Sequence, residues 1–271
     1  MKPSVFPAYY TLLDKLGWYS LRVLCGSVLF FLLLPILVII PLSFSNSSFL
    51  SYPIPGWSLR WYQELFASDD WARATRNSFI VAPLATLIAT SLGTLAAVGL
   101  ARVQFFGKGF ITSLLIAPMV VPIVVVGVST YLFFARIGLS DSYAGLVLVH
   151  AALGAPFVVT TVMATLQGFN QNLVKASLSL GAGPIQTFFR VTLPVIAPGV
   201  ISGALFAFAI SFDEVVVTLF LAGPSQVTLP RQMFTGIREN ISPTIAAVAT
   251  LLILFTAALM MVLEWLRGRS K

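Results

Sequence analysis

Apolar residues in this chain run together instead of recurring at the period of a half-buried helix or strand. Six stretches contain no Asp, Glu, Lys or Arg: residues 23–59, 77–101, 109–135, 142–174, 191–212 and 240–263. Each is at least as long as the roughly 20 residues that a helix needs to cross a hydrocarbon core about 30 Å thick. With their polar ends trimmed, they predict membrane helices near 22–43, 78–101, 110–135, 143–167, 194–216 and 243–266. The first run is longer than the core of about 7–15 residues found in signal peptides, so it is expected to be a retained helix. The fold class that follows is all-α, a polytopic membrane protein. A segment 1–21 precedes a transmembrane domain over 22–271.

The composition agrees: 58% of the 271 residues are hydrophobic and 9% charged, against about 45–50% and 25% in soluble domains. That excludes a soluble enzyme, a disordered tail and a disulfide-built secreted module. Cys25, the single cysteine, leaves no intrachain disulfide.

A net charge of +7 suggests nucleic acid only until the charges are placed on alternate loops. The side holding both termini and loops 102–109 and 168–193 carries ten basic residues: Lys2, Lys15, Arg22, Arg102, Lys108, Lys175, Arg190, Arg267, Arg269 and Lys271. The other side carries six, Arg60, Arg73, Arg76, Arg136, Arg231 and Arg238, nearly balanced by Glu64, Asp69, Asp70, Asp141 and Glu239. Positive residues concentrate on cytoplasmic loops, so both termini are expected in the cytoplasm. The basic balance is then topology, and no nucleic-acid partner is expected.

Two loops are long. The outer one, 43–77, joins a Ser-rich run to an amphipathic stretch whose Trp57, Trp61 and Trp71 are suited to the membrane surface. It reads as an interfacial linker or as a docking surface for an external partner. The inner one, around 173–194, reads LVKASLSLGAGPIQTFFRVTLP. Leu173 to Leu180 predicts a short amphipathic helix ended by Gly181 in a left-handed cap. Pro184 suits the first turn of a second short helix, Ile185 to Arg190. Pro194 and Pro198 then restart the chain into the fifth span. Such an elbow is either a surface connector or a knob shaped for a groove on another protein.

This stretch resembles the coupling loop of ABC-importer permeases, whose pattern is E-A-A-x-x-x-G, nine residues, then I-x-L-P. Here Ala176 supplies the first alanine, Gly181 the glycine followed by Ala182, and Val191-Thr192-Leu193-Pro194 the close, just after Arg190. Lys175 and Ser177 stand where the pattern has its acid and second alanine. PIPGWSLRWYQELF, FDEVVVTLFLAGP and ISPTIAAVATLL are similar to stretches of the spermidine/putrescine-type permeases. The resemblance implies a type I importer permease of the bacterial inner membrane. Lys175 to Pro194 would dock into a separate ABC ATPase that binds ATP and magnesium. A second permease chain, for which the resemblance favours a different one, and an external substrate-binding protein complete the implied assembly. No cofactor is implied in this subunit. The solute is expected to be a polyamine, with opines, amino-acid derivatives and other small solutes as alternatives.

Within the predicted spans, Asp213 and Glu214 form the one acidic pair, about 28 Å along the fifth span from Pro194 at 1.5 Å per residue. Intramembrane charge is costly and marks a pathway or a partner. One carboxylate is expected in the substrate path, with the other pairing or reaching the surface; the competing reading is a structural hydrogen bond or ion pair, for instance with Arg231 or Arg238. Gly199, Gly203, Ala207 and Ser211 form a small-residue stripe for close helix packing, within this subunit or against a second permease; Gly93, Ala97 and Ala101 repeat the spacing in span two. His150 is expected to be a hydrogen-bonded helix histidine, since no cluster of metal ligands accompanies it. Pro118, Pro122 and Pro156 are expected to kink spans three and four. No catalytic set appears: Gly107-Lys108 lacks the glycine a P-loop requires five residues earlier. An ion-coupled secondary transporter would be expected to show repeats or broken helices and leaves the elbow unexplained; a membrane enzyme lacks its polar constellation.

Overall fold

A computed structural model describes residues 11–239 and 242–269. Lys2 and Lys271 of the charge pattern and the first ten residues of segment 1–21 lie outside the described residues. The helices are α1 (Leu12–Leu42), α2 (Arg60–Ala67), α3 (Asp69–Arg102), α4 (Lys108–Ile116), α5 (Ile123–Ile137), α6 (Tyr143–Gln167), α7 (Asn172–Ser179), α8 (Pro184–Thr187), α9 (Leu193–Asp213), α10 (Val216–Leu221), α11 (Leu229–Glu239) and α12 (Thr244–Arg269). Among the described residues, four continuous helices are long and apolar enough to cross a membrane: α1, α3, α6 and the run Pro184–Asp213. The pair α4 and α5 makes a fifth candidate, and α12 contributes the shorter apolar stretch Thr244–Ala258.

The chain divides into two compact units, Met1–Ala67 with Gly236–Lys271, and Ser68–Thr235. In the first, α1 begins ten residues before the predicted span because Thr11 and Asp14 form a reciprocal capping box. No α1 side chain is buried within the chain, as expected of a helix whose solvent is lipid. The loop after α1 is not a loose linker. Trp61 on α2 is buried, and its Nε1 donates to the Ser45 carbonyl at 2.8 Å. Ser43 Oγ lies 2.7 Å from the Tyr62 hydroxyl, and Ser58 N donates to Phe44 O at 2.7 Å. Trp61 is therefore the core of a small cap, and Trp57 stays exposed.

In the second unit α3, α6 and α9 pack around one apolar core that includes Val81, Ala97, Leu146, Val158, Ile196 and Ala207. The span predicted from 78 starts at Asp69, with Asp69 and Asp70 favourably placed in its first turn. Its 34 residues give about 51 Å of helix, more than the hydrocarbon core requires. Close approach is built on glycine. A Cβ at Gly203 would lie 2.5 Å from Thr161 Oγ1 and 2.8 Å from Val158 Cα. At Gly93 it would lie 2.8 Å from Val158 Cβ, and at Gly154 2.9 Å from Ala207 Cβ.

Two predicted spans are corrected. The third is no gently kinked helix over 110–135: α4 and α5 meet at 100°. Pro118 opens a 3-10 turn, Ala117–Met119, and Pro122 in an extended conformation (φ −54°, ψ 127°) caps α5. Neither proline has an N–H for a helix ladder, so the run breaks between them. The fifth does not reach 216. It stops at Asp213, Glu214 is extended (φ −72°, ψ 118°), and α10 follows. Pro194 and Pro198 likewise do not restart the chain, because a π-turn, Phe188–Thr192, joins α8 to α9 without interruption.

Gly203→Val should lower the thermal midpoint of the purified protein, costing about 1–3 kcal/mol for an overpacked contact. Gly99→Ala, with nothing within 4 Å of its added Cβ, should match or slightly exceed the wild type, since alanine gains about 0.5–1 kcal/mol over glycine in a helix. Equal midpoints for the two variants would contradict this packing.

Candidate functional site

Two candidate features of the second unit lie at the ends of one continuous helix, Pro184–Asp213. At one end is the elbow. α7 ends where Leu180 N donates to Ala176 O (3.0 Å), Gly181 N to Leu178 O (3.0 Å) and Ala182 N to Ser177 O (3.1 Å). Gly181 has φ +85°, the left-handed conformation its position in the sequence predicts. Gly183 is extended and Pro184 opens α8. Ser177 Oγ then lies 3.0 Å from Thr187 Oγ1, pinning the two limbs together. Val174, Phe188 and Leu193 pack on the core below, while Leu180 and Ile185 stand 88% and 76% exposed. The elbow is thus a braced turn with an apolar tip.

Lys175, Ala176 and Arg190 are exposed around that tip, Ser177 and Ala182 are half-buried, and Pro194 is exposed in the first turn of α9. Thr192 is fully buried, and its hydroxyl accepts from Arg102 Nη2 at 3.1 Å, tying the π-turn to the end of α3. Beside it lies a cavity of about 270 Å³ lined by Thr90, Thr94, Phe188, Phe189, Leu193 and Val200. The buried Thr90 and Thr94 hydroxyls reach no partner among the described residues.

At the other end α9 breaks. Asp213 is its last residue and is exposed; Glu214 is half-buried, and its Oε1 accepts from Val217 N at 2.8 Å, capping α10. Arg231 donates to the carbonyls of Thr218 and Ala222. Burial lowers its pKa and nearby Asp141 opposes that shift. His150 is buried, with Nδ1 2.9 Å from Ser211 Oγ and 3.1 Å from Ser211 O, and Nε2 3.1 Å from Thr218 Oγ1. It is the hydrogen-bonded helix histidine of the sequence reading. Gly199, Gly203 and Ala207 are all buried, and the atoms that crowd them belong to α6 of the same chain or, for Gly154, face it from α9.

Sequence reasoning missed a latch over this break. Asn77 on α3 is buried; its Nδ2 donates to the carbonyls of Ser225 (2.9 Å) and Val227 (2.8 Å). Its Oδ1 accepts from the Tyr143 hydroxyl at 2.7 Å, and Ser78 Oγ accepts from Leu229 N at 2.8 Å. Pairs 66 to 151 residues apart leave no local signal. The one available hint was a polar Asn-Ser pair opening an otherwise apolar run.

The family described as "Binding-protein-dependent transport system inner membrane component" matches residues 89–270 of this chain. The chain belongs to that family. It is 33% identical over 241 residues to a spermidine/putrescine transport system permease protein, PotC, of Haemophilus influenzae, covering 89% of this chain and 93% of the relative. It is 36% identical over 230 residues to a putrescine transport system permease protein, PotI, of Escherichia coli, covering 82% of each. The fold is similar to a chain of a bacterial ABC transporter involved in the import of the polysaccharide alginate. There the TM-score is 0.77 at 14% identity, over 95% of this chain and 99% of that one. As an inner membrane transport component of this family, the protein is a multi-pass transport subunit, and the elbow, both acidic residues and the small-residue stripe fall inside the matched region.

In this inner membrane component, Gly181→Ala should loosen the elbow, because a left-handed alanine costs about 1–2 kcal/mol. Gly183→Ala, at φ −72° with open space around it, should not. Amide exchange at Ala182 and Thr187 checks this: faster in the first variant, unchanged in the second. Equal protection in both would show that the turn does not depend on glycine.

Proposed function

We propose that this chain is one permease subunit of an ATP-driven bacterial importer for polyamines such as putrescine or spermidine. Six helices would span the membrane: α1, α3, the bent pair α4 and α5, α6, α9 and α12, with both termini in the cytoplasm. The residues to about 21 would form the cytoplasmic entry and 22–271 the permease domain. The curated relatives are named for spermidine and putrescine transport, and that supports the substrate class. The observation that carries the mechanism is the elbow: a turn braced by Ser177 and Thr187, with an exposed apolar tip, continuous with the helix that ends at Asp213.

In this reading an external binding protein delivers the solute, and a second permease chain completes the path. Separate ABC ATPase subunits, which hold ATP and magnesium, receive Leu180 and Ile185 in a surface cleft. Lys175, Ala176, Arg190 and Pro194 surround that contact. Closing of the ATPases displaces the elbow, and the continuous helix carries the motion to Asp213. The exposed Asp213 carboxylate meets the ammonium groups of the solute, while Glu214 is held by α10 as its cap.

The permease should co-purify with an ATPase, and putrescine uptake by the reconstituted complex should require ATP. Uptake driven by an ion gradient alone would overturn the proposal. Lys175→Glu should lower ATPase activity coupled to uptake, and unchanged coupling would remove Lys175 from the contact. Asp213→Asn should raise the KM for putrescine roughly tenfold or more, since a hydrogen bond to a charged group contributes about 1.5–3 kcal/mol. An unchanged KM would take Asp213 out of the path.

A further inference from the structure

A helix leaves its last four carbonyls without internal donors, and in an apolar setting each such group needs a partner from elsewhere. α9 ends at Asp213, so Ser211 O is one of these carbonyls. Its partner is His150 on α6, whose Nδ1 lies 3.1 Å from Ser211 O and 2.9 Å from Ser211 Oγ. A carbonyl can only accept, so Nδ1 serves Ser211 O when it carries the ring proton and Ser211 Oγ in either tautomer. The other ring nitrogen, Nε2, lies 3.1 Å from Thr218 Oγ1 on α10. The same hydroxyl is 3.2 Å from Glu214 O. A single planar side chain, 1% exposed, therefore grips the chain on both sides of the break.

We infer that His150 is the positioning residue that fixes the break between α9 and α10 and so presents Asp213 to the translocation path. The grip spans the break: Ser211 lies two residues before Asp213, and Thr218 four residues after Glu214. With both anchors held by one ring, the extended conformation of Glu214 is set, and Glu214 Oε1 falls on Val217 N. Without the ring, Ser211 O regains a partner only if α9 continues through Asp213 and Glu214 as helix. That continuation would re-aim Glu214 and the start of α10, and so change what surrounds Asp213 at the end of α9. His150 touches no solute in this arrangement; it acts through the carboxylate. This inference rests on the proposal that Asp213 lines the path.

The test uses the complete importer with its binding protein, reconstituted in vesicles, with labelled putrescine uptake normalised to assembled complex. His150→Leu should raise the KM several-fold with a smaller change in maximal rate. His150→Gln, whose amide keeps one donor and one acceptor, should recover most of the affinity. In the Asp213→Asn background, His150→Leu should raise the KM no further. If His150→Leu does not assemble, His150→Asn, which keeps an amide on a shorter reach, replaces it under the same criteria. A His150 variant that lowers only maximal rate, or adds its full factor on top of Asp213→Asn, overturns this inference alone. An unchanged KM in Asp213→Asn overturns the path reading together with this inference.

Discussion

At Gly203 the backbone of α9 lies so near α6 that an added Cβ would stand 2.8 Å from Val158 Cα, and Gly154 of α6 admits Ala207 in return. Lipid tails supply no hydrophobic drive between helices, so close packing of small residues is what holds membrane helices together. This contact orders the rest of the second unit. It fixes α9 against α6, which also brings His150 within hydrogen-bonding distance of Ser211. It also sets the line along which the elbow enters the core, through Phe188 and Leu193.

From that contact α9 reads as a lever with two different ends. At the elbow end the polar groups are spent on bracing: Ser177 with Thr187, and Arg102 with Thr192. The tip is left apolar, with Leu180 and Ile185 exposed. At the far end the polar groups manage a helix break, with Glu214 capping α10 and His150 serving the last turn of α9. Between them no proline stops the helix. Pro194 sits in the first turn, where its missing N–H costs little, and the π-turn carries the chain across.

Composition made the membrane class, and the charge-free runs made most of the helices, legible before any coordinates. Gly181 was legible because a left-handed cap asks for one residue type. The breaks were not. Pro118 and Pro122 announced a disturbance, but their 100° bend depends on Pro122 capping a new helix, and apolarity is the same on both sides. Nothing in Phe212-Asp213-Glu214-Val215 separates a continued helix from a stopped one. The deciding partner, His150, is 61 residues away from Ser211 in the chain. The burial of Trp61 was hidden for the same reason, since its hydrogen bond to Ser45 is tertiary. For Asn77, the polarity was visible in the sequence and its partners, Ser225 and Val227, were not.

In the proposed importer the elbow and the far end of α9 move as one body. Paired spin labels at Ile185 and Ala209, in a Cys25→Ser background within the assembled importer, measure that directly. Twenty-four residues of helix separate them, about 36 Å at 1.5 Å per residue. The lever predicts that this distance holds within about one residue rise between nucleotide-free and ATP-bound states, while the distance from Ile185 to Leu95 on α3 changes. A change between Ile185 and Ala209 would instead place a hinge at Phe188–Thr192 and rule out the rigid lever.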